Sequence, residues 1–143
     1  MVEHVISNIQ EDLSSIQKIP GTDAVLLFGS RISGTATDVS DYDLCIVAST
    51  LHSASERAEL LGNVWKQIDA NKYDVWIFEE LPLYLQMTII ENHEVLFCDD
   101  VPELYEYFYR FRKQWNTQAY RQSLDFEVGI NPMKLKEMWK TEP

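Results

Sequence analysis

The sequence predicts an α/β fold with a mixed central sheet flanked by helices, on three observations. Segments whose apolar residues recur at helical spacing alternate along the chain with short apolar runs of strand length. The connection between the first two strand runs, Arg31 to Ser40, is made of small and turn residues. It is shorter than a parallel crossover needs, which predicts an antiparallel pair. The connection between the second and third runs carries a full helical pattern, which predicts a parallel pair with a right-handed crossover.

The elements follow in order. Val2, Val5, Ile6, Ile9, Leu13 and Ile16 predict a helix over residues 2–17, stopped by Pro20-Gly21. Ala24 to Phe28 reads as a buried strand ending at Gly29-Ser30. A short helix at most fits before the next strand, Leu44 to Ala48, which Asp41-Tyr42-Asp43 introduces. Ser53 is placed to cap a helix running to about Ala70, with Leu60, Leu61, Val64, Trp65 and Ile68 as its apolar stripe. Lys72 to Phe78 is a third strand, and Pro82 suits the first turn of a helix to about Asn92. Val95 to Cys98 is a fourth strand. Pro102 opens a long helix with Leu104, Phe108, Phe111 and Trp115 on its core face. Met133 to Trp139 fits a last helical turn or two.

The chain has 143 residues, which suits one domain, with a core at 22–98, a C-terminal helix at about 102–124 and a tail at 125–143. At 45% hydrophobic residues it has material for a real core, unlike a disordered acidic segment. Its net charge of −11 argues against direct nucleic-acid binding, which needs clustered bases facing phosphate. That charge leaves room for a small phosphate ligand held through metal ions. No apolar run is long enough to cross a membrane, and the N-terminus lacks the basic start of a signal peptide. The expected location is the cytoplasm, where Cys45 and Cys98 read as buried thiols.

Three features converge on one sheet edge if the strand directions are as expected. Gly29-Ser30 follows a strand, where glycine lets a ligand approach the backbone and outward N–H groups form an anion site. Taken alone it is equally a turn with a capping serine. Asp41 and Asp43, at i and i+2 near the start of a strand, face the same side, and two such carboxylates repel unless a cation lies between them. All-oxygen ligands of this kind suit Mg²⁺, although Asp-x-Asp by itself also describes a solvated turn. Asp74 interrupts the apolar strand Lys72 to Phe78, against strand propensity, which marks either function or a water-facing edge.

Together, Gly29-Ser30 followed after ten residues by Asp41-x-Asp43 resembles the signature of the DNA polymerase β-like nucleotidyltransferase superfamily. The segment LFGSRISGTATDVSDYDLCIV, residues 27–47, is similar to the minimal nucleotidyltransferase (MNT) family, and Asp74 matches that family's third carboxylate. The resemblance covers residues 22–98. It implies the MntA-type antitoxin of HEPN/MNT toxin–antitoxin pairs: a protein adenylyltransferase that moves AMP from ATP to a tyrosine hydroxyl of a HEPN-domain ribonuclease. It implies Asp41, Asp43 and Asp74 as catalytic residues and as ligands of two Mg²⁺ ions. Gly29 and Ser30 would hold the β and γ phosphates. Arg31 fits either a triphosphate contact or a surface charge, and Gly34 fits backbone geometry. Two alternatives stand beside this: a small-molecule, antibiotic-type nucleotidyltransferase, and an antitoxin that neutralises by binding alone.

The remaining features read structurally. His4, His52 and His93 show no ligand spacing, and Trp65, Trp76, Trp115 and Trp139 fit packing positions. From Tyr73 to Tyr109 there are nine acids and no Lys or Arg; from Arg110 to Lys140 there are seven bases and three acids. The acidic stretch is a solvated face or a docking surface for a basic partner. Tyr105, Tyr107 and Tyr109 exceed what one core stripe needs and are candidates for an interface.

Overall fold

The structure is a computed structural model that describes residues 2–29 and 42–127. Its elements are α1 (Val2–Asp12), a 3₁₀ turn (Ile16–Lys18), β1 (Ala24–Phe28), β2 (Tyr42–Val47), α2 (Ala54–Trp65), β3 (Tyr73–Ile77), a second 3₁₀ turn (Phe78–Glu80), α3 (Leu83–Glu91), β4 (Glu94–Cys98) and α4 (Val101–Glu127). The strands form one four-stranded sheet in the order β3-β2-β1-β4. As expected from the two connections, β1 and β2 are antiparallel and β2 and β3 are parallel. β4 covers the other edge of β1, antiparallel to it.

Because side chains alternate along a strand, each strand feeds both faces of the sheet. Val25, Leu27, Leu44, Ile46 and Val75 point to one face, where they pack with Ile9 of α1, Leu13 just after it, and Leu60 and Val64 of α2. Ala24, Leu26, Cys45 and Val47 point to the other, against Met87 and Ile90 of α3 and Leu104 and Phe108 of α4. Phe78 is fully buried on this second face, with ring centroids 5.3 Å from Phe108 and 5.0 Å from Phe111.

Three element ends differ from the sequence reading. α1 stops at Asp12, short of residue 17, because the chain passes Ser14-Ser15, weak helix formers, and tightens so that the Ile19 N–H donates to the Ile16 carbonyl. α2 stops at Trp65, short of Ala70; the Asp69 carboxylate accepts from the Asn71 N–H, and its carbonyl accepts from the N–H groups of Lys72 and Tyr73, turning the chain into β3. β2 begins at Tyr42, two residues before Leu44, which takes Asp43 into the ladder. At its start α2 has the expected Ser53 cap: the hydroxyl accepts from the Glu56 N–H and donates to its carboxylate.

Both cysteines are free, Cys45 buried and Cys98 partly so. Among the described residues, no helix is long and apolar enough to cross a membrane. The expected short helix before β2 and the turn at Met133 to Trp139 lie outside the described residues.

Candidate active site

The sheet register brings the end of β1, Asp43 and Asp74 to one edge. Phe28, the last residue of β1, pairs with Asp43, and Asp43 pairs with Asp74 across the parallel β2–β3 ladder. Neighbouring strands lie about 4.8 Å apart, so the two carboxylates leave adjacent strands side by side on the same face. Both residues are only partly buried, so solvent and ligand reach them.

Gly29 follows Phe28 with φ +88°, in the left-handed region that favours glycine. A Cβ there would lie 3.1 Å from Asp43 Cγ and closer still to Asp43 Oδ2. The Asp43 carboxylate therefore occupies the space that only a glycine leaves open. The turn that leaves β1 and the acid that opens β2 are fitted to each other.

The ladder at this edge is clamped from behind. Asp12, at the end of α1, accepts from Lys72 Nζ at 2.6 Å and from the Tyr73 hydroxyl at 2.8 Å. These two bonds, Lys72 first, hold the Asp12 carboxyl below its ordinary value. Burial, then the bond to Asp12, pushes the Tyr73 phenol well up, so it stays a donor. Tyr73 immediately precedes Asp74. Its ring lies 5.9 Å from that of Tyr42, and the Tyr42 N–H donates to the Lys72 carbonyl at 3.0 Å. The pair of residues before the two acids is thus tied to α1 across 61 positions of sequence, a link that no local pattern announces.

Ser30, Arg31, Gly34 and Asp41 lie outside the described residues. Within the described ones, Asp43 and Asp74 are the oxygen ligands that suit a hard cation: they are register partners on one face of the sheet, and the Asp43 carboxylate is seated over the glycine. No group of three or more His, Cys, Asp or Glu is set to hold a metal ion among the described residues. Asp41, two residues before Asp43, would be the third oxygen donor.

The polymerase beta nucleotidyltransferase family model matches residues 8–101, which span this whole arrangement. The chain belongs to that family. A nucleotidyltransferase relative from Methanocaldococcus jannaschii, "Putative protein adenylyltransferase MJ1547", is 44% identical over 97 residues, covering 68% of this chain and 72% of its own. Two solved structures share the nucleotidyltransferase fold. A chain of a toxin–antitoxin crystal structure with AMP-PNP aligns with TM-score 0.58 at 19% identity, over 85% of this chain and 98% of its own. A chain from the complex of a tri-AMPylated Shewanella oneidensis HEPN toxin with MNT antitoxin aligns with TM-score 0.54 at 20% identity, over 91% and 100%.

One expectation near the site is corrected. Trp76 does not fill a packing position: it is 42% exposed, on β3 two residues beyond Asp74. The alternation that buries Tyr73, Val75 and Ile77 puts Trp76 on the face of Asp74, where the second-layer helices leave it uncovered. Trp65 and Trp115 do pack against the two cores. His93 is a satisfied structural residue, its Nδ1 2.8 Å from the Ile89 carbonyl and its ring against Phe108. Of the interface candidates Tyr105, Tyr107 and Tyr109, the first and last are exposed, while the Tyr107 hydroxyl donates to Glu79 at 2.7 Å.

Proposed function

We propose that this nucleotidyltransferase is the antitoxin of a HEPN/MNT toxin–antitoxin pair and acts as a Mg²⁺-dependent protein adenylyltransferase. It moves AMP from ATP to a tyrosine hydroxyl of a HEPN-domain ribonuclease, in the cytoplasm where ATP is plentiful. The observation that carries the reading is the continuous register Phe28–Asp43–Asp74, which gathers a glycine turn and two carboxylates at one sheet edge. The acceptor class is supported by the name of the archaeal relative, and the partner by the toxin–antitoxin neighbours.

Asp41, Asp43 and Asp74 would hold two Mg²⁺ ions, which would supply positive charge to the triphosphate and to the charge developing on the entering and leaving oxygens. Gly29 and Ser30 would present N–H groups and a hydroxyl to the β and γ phosphates, and Arg31 is a candidate for a further triphosphate contact. Asp74 orients the acceptor hydroxyl and takes its proton as the new O–P bond forms at the α-phosphorus. The bond to the β-phosphate oxygen breaks and pyrophosphate departs in line. Positioning and charge neutralisation supply most of the rate, as in phosphoryl chemistry generally.

The test starts from the reading frames that flank this chain's gene: a HEPN-domain product found there is measured by intact mass after incubation with this chain, ATP and Mg²⁺. A mass increase of one or more AMP units, localised to tyrosine and missing with Asp74→Asn, is expected. An unmodified partner that is nevertheless neutralised would replace catalysis by masking.

A further inference from the structure

We infer that Trp76 is the acceptor-side recognition residue of this site, a flat surface against which the ring bearing the acceptor hydroxyl packs. The inference rests on the transfer to tyrosine proposed above. Asp43 stands in the middle of the site, with the Gly29 turn of β1 on one flank and Asp74 of β3 on the other. A triphosphate held at the glycine turn directs its leaving pyrophosphate to the β1 side. In-line displacement then requires the acceptor to enter from the opposite side, over β3. Among the described residues β3 is an outer strand of the sheet, with no further strand paired beyond it.

On β3, the side chains sharing the Asp74 face are Asp74 and Trp76. At about 3.3 Å per residue, the Trp76 Cα lies roughly 6.6 Å along the strand from Asp74. A phenol whose oxygen reaches Asp74 can lay its ring toward the indole at that distance. An exposed tryptophan at the fourth of the five residues of β3, on the face of the two acids and with its in-register neighbour Cys45 buried, is not needed by either core. Tryptophan is among the residues that most often anchor protein–protein contacts.

The experiment uses ATP labelled on the α-phosphate, Mg²⁺, and either N-acetyl-tyrosinamide or N-acetyl-serinamide as acceptor, with the full chain and its W76A and W76F variants. W76A is expected to lower kcat/KM for the tyrosine acceptor by about three- to ten-fold, the range for loss of one aromatic pair. The KM for ATP and transfer to the serine acceptor stay unchanged, and W76F recovers most of the loss. A rise in the KM for ATP would assign the indole to the nucleobase and overturn the inference, as would equal losses on both acceptors or no loss. A second readout is independent of turnover: the indole N–H resonance missing from the W76F spectrum shifts when N-acetyl-tyrosinamide is added with ATP and Mg²⁺. A resonance that stays in place overturns the inference. A resonance that shifts without any transfer leaves Trp76 as a ring-binding residue and removes the proposed activity instead.

Discussion

Asp43 is the register partner of two residues at once, Phe28 across the antiparallel β1–β2 pair and Asp74 across the parallel β2–β3 pair. One residue therefore joins the end of one strand to the starts of two others. The antiparallel-then-parallel topology turns residues far apart in sequence into a single edge, with the glycine turn, the middle acid and the outer acid in a row. This arrangement is what makes Asp74 a sharp test of the site. Asp74→Asn preserves shape and removes only the charge and the basic oxygen. We expect the variant to fold with Tm within about 2 °C of the parent, because the residue is partly exposed and sits in an intact ladder. Transfer should fall by at least about 10²-fold, the low end for loss of a general base. A labelled-ATP transfer assay beside a thermal melt decides it, and near-normal transfer with ATP and Mg²⁺ saturating would sink the assignment.

Gly29→Ala should cost both stability and activity. The new methyl is strained at φ +88° and collides with the Asp43 carboxylate. Left-handed strain costs about 1–2 kcal/mol, and displacing Asp43 adds to it. A double-mutant cycle separates the two contributions. Combined with Asp43→Ala, which removes the colliding carboxylate, the substitution should retain only the strain, so its cost in urea unfolding should be smaller than in the parent. Equal costs in both backgrounds would mean that the glycine turn and Asp43 are not coupled.

Much of this was legible in the sequence, for local reasons. Strand directions followed from the length and content of two connections; Asp41-x-Asp43 stood out as paired carboxylates just before a strand, and Asp74 because it breaks an apolar run. The helix ends at Asp12 and Trp65 were not legible, because the low helix propensity of Ser14-Ser15 and the hydrogen bonds of Asp69 are not registered by apolar periodicity. Nor were the link from Asp12 to Tyr73 and the bond from Tyr107 to Glu79, each of which joins residues brought together only by the sheet. Trp76 illustrates the same limit. Its type suggested packing, while its exposure depends on which half of a sheet face the helices cover, a tertiary property.

The Asp12 clamp carries a pH signature. Asp12 lies lower in the folded protein than its ordinary value of 3.8, chiefly through its bond to Lys72 and then through Tyr73. A lowered carboxyl stabilises the fold where it is ionised, above its unfolded value, and that contribution is lost as pH falls through the folded value. The loss should therefore appear below about pH 4. Its size stays below about 1 kcal/mol, since the Asp12 and Lys72 side chains are 48% and 46% exposed and water screens the pair. Asp12→Asn should flatten the acid limb of the stability curve, losing up to that amount at neutral pH and converging on the parent at the acid end. Denaturant titrations from pH 5 down to pH 2.5 test this, and an unchanged acid limb in the variant would remove Asp12 from the account.

Glu79 should behave with the opposite sign. Its carboxylate accepts from the Ala48 N–H at 2.9 Å and from the Tyr107 hydroxyl at 2.7 Å, bridging the end of β2 to α4. Burial raises it above its ordinary value of 4.5 despite those two bonds. Between the ordinary and folded values the native state binds the extra proton. The Glu79 contribution to stability therefore declines as pH rises through that interval, and the penalty is complete above the folded value. Glu79→Gln keeps an acceptor for the Ala48 N–H, and its amide can donate to Tyr107, whose hydroxyl reorients to accept. The variant should thus gain on the parent as pH rises from 4.5 toward neutrality. Glu79→Ala leaves the Ala48 N–H and the Tyr107 hydroxyl without this acceptor and should cost about 1–3 kcal/mol. Tyr107→Phe removes one bond that favours the ionised form, so it should raise the Glu79 carboxyl further and widen the gap between low and neutral pH. Urea midpoints for the parent and the three variants across pH 4–8 measure all of these. Parallel curves for the parent and Glu79→Gln would show that the buried carboxylate carries no pH-dependent penalty.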